Sequence, residues 1–508
     1  MTAPLTSPHA ASENARPAYE ARLAFWTAEA TRHDRRTEQL GTARLLVFFV
    51  TLIGGIWILR AHPGWTAWLL VPVGLFIALV ALHAQAREHL ARARRGAAWH
   101  ERNLARVDER WAGTGPTGEE HVPEGHLFAR DLDLVGEASL FQLLCTTRSR
   151  CGELALARWL LGAPVQANAA PAFDAEAIRA RQQAVAALAP EAELRERLAL
   201  AGNVAASGQP GDLDPAALRA WITAGPVRFS PFERGIAVVL GVLAAVAAAT
   251  WATGVTSLVP LLLVATLEAV FAWLLRRRMQ SVDRLAESGE HALSLLSELL
   301  ALLEDRARQP GTPHAVAALG AAVGVAPSRP GREAAESASA RIARFDRLSR
   351  SLTSSRRNGV YAFFAFLLQI RVHRAHALER WRAEVAPALS GWLDAVGEFE
   401  GLVALAGYAH EHPEDIFPDI VPAPCLQASG LGHPLLAAAS CVRNDVALDS
   451  GHALLLISGS NMSGKSTLLR AAGLAAVLGQ AGAPVRARAL RLSPMQVGAC
   501  ISIHDSLR

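Results

Sequence analysis

The chain has 508 residues, is 51% hydrophobic and 19% charged, and carries a formal net charge of +4. This excludes wholesale disorder, and so small a charge does not by itself call for a nucleic-acid partner. Lys and Arg total 50, and Lys465 is the only lysine among them. In a chain that uses Arg wherever either residue will serve, a single lysine marks a place where Arg will not. Mean hydropathy is +0.21, high for a soluble protein, so membrane segments are expected. Cys145, Cys151, Cys425, Cys441 and Cys500 form no CxxC pair, which fits reduced thiols in a cytoplasmic protein.

Residues 1–18 lack periodicity and read as a loose terminus, followed by a polar, Arg-rich helix from Pro17 to Leu40. Four apolar segments follow in two pairs: Leu45–Leu59 with Trp65–Ala84, and Gly235–Gly254 with Thr256–Leu275. Three of them have about the 20 residues that a bilayer crossing needs, and the first is completed by snorkelling arginines. Each pair reads as a transmembrane hairpin. Arg35, Arg36, Arg44, Arg87, Arg92, Arg94, Arg95, Arg228, Arg234 and Arg276–Arg278 flank the spans on one side, so the termini and most of the chain face the cytoplasm of a multi-pass inner-membrane protein. The alternative is a pair of buried hairpins in a soluble core. Glu268 lies within the fourth span. A carboxyl there is a functional candidate or a plain helix-packing contact.

Residues 86–112 and 128–200 read as helical, split by a Gly/Pro/Glu loop at 113–126. Helical spacing recurs in Val282, Leu285, Leu293, Leu296, Leu299, Leu300 and Leu303. A second stripe runs through Trp381, Val385, Leu389, Trp392, Val396, Phe399 and Leu402. Arg341, Arg344, Arg347, Arg350, Arg356 and Arg357 form a basic run suited to phosphates, to anionic lipid or to a solvated face. The run His410–Asp415 lacks metal-ligand spacing and is expected to be a solvated loop.

Ala453–Ser458 is a short apolar run, expected as a buried parallel strand. It leads into Gly459-Ser460-Asn461-Met462-Ser463-Gly464-Lys465-Ser466-Thr467, a phosphate-binding loop, and then a helix from Lys465 to about Gly479. Backbone N–H groups around Asn461–Lys465 are expected to cradle a β-phosphate, with Gly459 and Gly464 permitting close approach. The helix N-terminus adds its positive end. The compact ammonium of Lys465 suits β- and γ-phosphates in so tight a nest, where a planar guanidinium does not fit. Ser466 is the expected Mg ligand, with ATP as the nucleotide.

The C-terminal 80 residues resemble the ATPase domain of the MutS family of DNA mismatch repair proteins. The likeness runs through Gly432-His433-Pro434-Leu435-Leu436, Val442–Val446, Asn461-Met462-Ser463-Gly464-Lys465-Ser466-Thr467, Leu469-Arg470, Gln480–Val485 and Gly498-Ala499 to Asp505. Ser460 departs from the family's usual Pro. More weakly, Asp131-Leu132-Asp133-Leu134, Ser139-Leu140-Phe141 and Thr146–Trp159 resemble the opening of the family's helical core, and Trp392–Ala409 its lever helix. The resemblance implies a dimeric ATPase that moves a helical clamp on DNA, with Asn444 near the adenine. It also implies two departures. The mismatch-reading N-terminal domain is not evident, and the signature Ser and Walker B carboxylates would fall beyond Arg508, so turnover by this chain is expected to be poor.

The expected architecture is therefore multidomain. It comprises an N-terminal segment (1–43), hairpin 1 (44–84), a helical core (85–233), hairpin 2 (234–276), a mainly α lever region (277–412), a linker (413–430) and the N-terminal part of a P-loop α/β ATPase domain (431–508). Two other readings stay open: a subunit of an ATP-driven membrane transporter, and a non-catalytic membrane scaffold with a vestigial nucleotide site.

Overall fold

The computed structural model describes residues 9–61, 68–162, 174–202, 213–223, 230–325, 336–357, 366–460 and 464–500. It is 68% helical. The helices are α1 (His9–Ala61), α2 (Leu70–Val107), α3 (Leu140–Leu144), α4 (Arg150–Leu161), α5 (Ala175–Leu188), α6 (Ala192–Ala199), α7 (Pro215–Thr223), α8 (Pro231–Ala252), α9 (Val259–Arg308), α10 (His314–Ala322), α11 (Ala338–Arg357), α12 (Ile370–Glu411) and α13 (Lys465–Ala481). Among the described residues there are four strands: β1 (Asp419–Ile420), β2 (Cys425–Leu431), β3 (Asn444–Asp449) and β4 (Ala489–Leu492). Their order is β1-β4-β2-β3, with β1/β4 parallel and β2 antiparallel to both β3 and β4. The chain divides into two compact units. One holds Met1–Thr146, Leu156–Pro210 and Leu402–Arg508; the other holds Thr147–Ala155 and Gly211–Gly401.

Among the described residues, four helices are long and apolar enough to cross a membrane: Ala15–Ile58, Leu70–Val107, Pro231–Ala252 and Val259–Val282. Of their most apolar stretches, 0%, 6%, 28% and 17% is buried against protein. Leu46, Ile53, Trp68, Leu70, Leu263 and Trp273 all face outward. A hairpin buried in a soluble core would show the opposite, and so much exposed apolar surface is compatible with membrane association. The turn of hairpin 1 at 62–67 lies outside the described residues.

In the first unit α1 and α2 pack along their length. Gly96 makes this possible: a Cβ there would sit 2.5 Å from the Trp26 ring. Of the loose terminus and short polar helix expected for residues 1–40, residues 9–40 are instead one helix with the first span, and residues 1–8 lie outside the described residues. The helix begins at His9, and on it Ala15 and Tyr19 are buried with Trp99. The helix expected from residue 128 is a series of turns up to Ser139, which caps α3 by accepting from the Gln142 N–H.

In the second unit both apolar stripes are buried as their spacing predicts. Val282, Leu293, Leu296, Leu299, Leu300 and Leu303 on α9 are fully covered, and so are Trp381, Val385, Leu389, Val396 and Phe399 on α12. Leu285 lies outside the described side chains. Glu400, also buried, accepts from the Arg148 N–H (2.7 Å), the Ser149 N–H (3.0 Å) and the Ser149 hydroxyl.

Two expectations near the sheet are overturned. Ala453–Ser458 is not a buried parallel strand. No described strand pairs with it, and Leu454 and Leu456 are among the most exposed of the described leucines. Without a ladder on either side, an apolar run has no reason to be held as a strand. The run His410–Asp415 is not a solvated loop either. Glu411 and Asp415 are buried, and His412 stacks on Tyr408 at 4.3 Å. Their charges are matched from elsewhere in the chain, a pairing that local composition does not reveal.

Candidate functional site

The apolar α13 lies with Gly473 against Leu132, close enough that a Cβ would meet that side chain at 2.8 Å. Arg470 fixes the same turn, donating to the Asp131 carbonyl (2.9 Å) and standing 3.4 Å from Asp133 Oδ2. At the other end Gly482 takes a left-handed cap, φ +89°. There Arg181 donates to the carbonyls of Gln480 (2.7 Å) and Ala481 (3.1 Å). These carbonyls are the free acceptors of a helix C-terminus, where a guanidinium also complements the dipole.

The N-terminus of α13 is prepared differently. Gly464, at φ +85°, precedes it and offers no capping side chain. A helix leaves its first N–H groups without intrahelical partners, so this end is suited to an anion. It opens on a cavity of about 420 Å³, whose lining includes Gly464, Lys465, Thr467, His433, Val442 and Asn444. The structure therefore brings Asn444 to the same cavity as Lys465, although 20 residues of sequence separate them. Lys465 Nζ donates to the carbonyls of Gly459 (2.7 Å) and Ser460 (2.5 Å), so the ammonium is held inside its own loop. Ser466 is exposed and does not line the cavity. Asn461, Met462 and Ser463 lie outside the described residues, as does Asp505.

One wall of the cavity rests on a buried ionic cluster that sequence reasoning missed. Arg486 donates to the carbonyls of Leu436 (2.6 Å) and His433 (3.5 Å) and lies 3.9 Å from Asp415. The Tyr408 hydroxyl donates to Asp415 at 2.9 Å. Burial pushes the Asp415 carboxyl up to about 6, against the opposing pull of Arg486 and the tyrosine. Burial likewise lowers His433. Its Nδ1 accepts the Leu435 N–H at 3.3 Å, as a neutral ring requires. No periodicity marked Arg486, and Asp415 fell within the run expected to be solvated.

The basic run lies on α11. Arg344 is paired with Glu384 (3.3 Å) and Glu336 (3.9 Å), while Arg347 is exposed. The side chains of Arg350, Arg356 and Arg357 lie outside the described residues. All five cysteines are free thiols.

No protein-family model matches the chain. It is similar to curated proteins over parts of its length. The DNA mismatch repair protein MutS of Symbiobacterium thermophilum is 32% identical over 130 residues, covering 25% of this chain and 14% of that protein. The DNA mismatch repair protein MSH6 of Arabidopsis thaliana is 43% identical over 79 residues, 14% of this chain and 6% of its own. Endonuclease MutS2 of Listeria welshimeri is 28% identical over 118 residues, 22% of this chain and 15% of its own. The chain thus spans 15% or less of each of these three relatives. Together they support membership of the MutS family.

Proposed function

We propose that this is a membrane-anchored, MutS-like nucleotide-binding protein. The observation that carries the reading is the placement of Lys465 and Asn444 on one cavity at an uncapped helix N-terminus. The residues present fit ATP with Mg. The ammonium already seeks oxygen ligands in the loop, and phosphate oxygens are better ones than the Gly459 and Ser460 carbonyls it now holds. In this reading Gly459–Thr467 cradle the phosphates, Lys465 meets the β- and γ-groups, Ser466 turns inward to the metal, and Asn444 lies beside the base. Bound Mg supplies charge neutralisation between the phosphates.

Hairpins 1 and 2 anchor the protein by four spans in the inner membrane, with the bulk of the chain cytoplasmic. DNA, the substrate class in the relatives' names, is the proposed partner, held without sequence preference through phosphates at α11. Nucleotide joins two copies as a homodimer.

The test is binding of a fluorescent ATP analogue to the full chain in lipid nanodiscs. Saturable binding that Lys465→Ala weakens at least tenfold is expected. Equal binding by both proteins, or none by either, overturns the nucleotide reading and leaves a scaffold. For DNA, a duplex titration at low and high salt is expected to show binding that falls with salt. No binding at low salt removes DNA from the proposal.

A further inference from the structure

Glu268 and Gln369 are two buried polar side chains among the apolar surfaces of hairpin 2, and neither belongs to the nucleotide site. Glu268 is fully covered by protein, and Gln369 is 4% exposed. Neither carboxylate oxygen of Glu268 is in hydrogen-bonding geometry with a described donor. The Gln369 amide is its polar neighbour; one of its two N–H bonds donates to the Phe366 carbonyl at 3.1 Å, which leaves the other for the carboxyl.

The backbone around Gln369 is broken. The residue sits at φ +49°, immediately before α12 begins. The preceding Leu368 lies against α8, where a Cβ on Gly241 would be 3.3 Å from the Leu368 carbonyl oxygen. Depth follows from helix geometry. Glu233 and Arg278 pair at 2.9 Å and mark the charged end of the hairpin. Gly241 is eight residues from Glu233 and Glu268 ten from Arg278. At about 1.5 Å per residue, both lie about 12–15 Å inside, near the middle of a hydrocarbon core about 30 Å thick.

Residues 366–369 therefore reach that depth as a third element beside the two spans. Their sequence context agrees: Val360–Ile370 is apolar except for Gln369 and is bracketed by Arg356, Arg357, Arg371 and Arg374. Irregular backbone at such depth persists only where protein covers it or where it lines a polar site.

Among the described residues no counter-charge pairs with the Glu268 carboxyl. Beyond Arg234, α8 carries no charged residue, and before Arg276, α9 carries only Glu268. On α12 the nearest titratable groups in sequence are Arg371, His373 and Arg374, and none of them is hydrogen-bonded to either Glu268 oxygen. A bare carboxylate in this setting is far costlier than a neutral acid.

We propose that Glu268 and Gln369 form a proton-binding site within the membrane, closed by the turn at 366–369. The carboxylate takes one proton from the side marked by Glu233 and Arg278, and releases it there. The inference rests on the membrane placement of hairpin 2 but not on the nucleotide site.

The test uses the full chain in liposomes at pH 7, treated with dicyclohexylcarbodiimide, which partitions into lipid and adds to protonated carboxyls. Peptide mapping by mass spectrometry is expected to show an adduct at Glu268. It should be absent in Glu268→Gln and at least tenfold weaker with a water-soluble carbodiimide. No adduct, or equal labelling by the water-soluble reagent, overturns the site. Leu263→Cys, on the outward face of α9, separates the two premises with a membrane-impermeant maleimide. If it is protected and Glu268 is unlabelled, the membrane placement stands and the proton site fails. If it is labelled, the placement itself fails and the site with it. The wild-type map decides the question even if Glu268→Gln does not fold.

Discussion

Hairpins 1 and 2 are alike in length and apolar composition, yet they use polar side chains in opposite ways. The polar contacts of hairpin 1 gather on the extensions of α1 and α2 beyond the apolar stretches. Tyr19, Arg22, His100 and Arg106 meet Glu196 and Glu411 there. Hairpin 2 instead carries Glu268 among its apolar side chains, beside the turn at 366–369. Three glycines show the contrast, although Gly235 and Gly254 of hairpin 2 also face open space. A Cβ on Gly54 or Gly74 of hairpin 1 would meet nothing within 4 Å, whereas one on Gly241 would press on Leu368. Hairpin 1 has the character of an anchor, with its specificity outside the apolar stretch. Hairpin 2 has the character of a built interior.

The largest effect expected from this contrast is at Arg106. Its Nη2 is 2.7 Å from Glu411 Oε2, and both side chains are buried. Burial raises the Glu411 carboxyl, and Arg106 and Arg195 oppose that. Arg106→Met removes the nearest counter-charge from a buried carboxylate. Such a change costs about 3–5 kcal/mol, so a large drop in the unfolding midpoint is expected in detergent micelles. Glu268→Gln replaces a neutral acid by a neutral amide of the same shape and is expected to shift stability by less than about 1 kcal/mol. Equal effects from the two variants would erase the distinction between the hairpins.

Next in size is the glycine pair. Gly241→Val places two methyl groups against the Leu368 backbone, which cannot move as a side chain end can. Overpacking of this kind costs about 1–3 kcal/mol. Gly74→Ala, facing open space, is expected to be neutral or to stabilise by under about 1 kcal/mol through helix propensity. Thermal unfolding of both variants in one detergent gives the comparison. A Gly241→Val protein as stable as the parent would mean that the turn is not packed on α8.

How much of this was readable in the sequence follows from the range of the interactions. The spans and the stripes of α9 and α12 were legible, because burial repeats along one helix with a fixed period. Lys465 stood out for a compositional reason, and its neighbours by a local motif. What was illegible depends on partners far apart in the chain. Arg486 meets Asp415 71 residues away and Arg106 meets Glu411 305 residues away, so His410–Asp415 looked like a solvated loop. Ala453–Ser458 failed in the opposite direction: its composition suits a buried strand, but a strand needs neighbours that composition does not supply. The turn at 366–369 was missed because its apolar run is shorter than a full crossing and carries Gln369.

The smallest expected effect concerns pH and Glu196, where α6 meets the polar extensions of α1 and α2. Burial alone would raise this carboxyl, but hydrogen bonds from His100 Nε2 (2.9 Å) and Arg22 Nε (2.8 Å) outweigh it and bring the group down to about 2, from an ordinary 4.5. A depressed carboxyl binds fewer protons in the folded state than in the unfolded state. Its stabilisation is therefore complete above about 4.5 and fades as pH falls toward 2. Arg22 is half exposed, and solvent screening reduces what the pair contributes to about 1 kcal/mol. Denaturant titrations at pH 6 and pH 3 are expected to show Glu196→Gln less stable than the parent at pH 6 and closer to it at pH 3. Glu268→Gln, replacing a group that already holds its proton, is expected to track the parent at both values. A Glu268→Gln difference that changes between pH 6 and pH 3 would mean that hairpin 2 carries an ionised carboxylate like hairpin 1's, and the contrast between anchor and built interior would fail there.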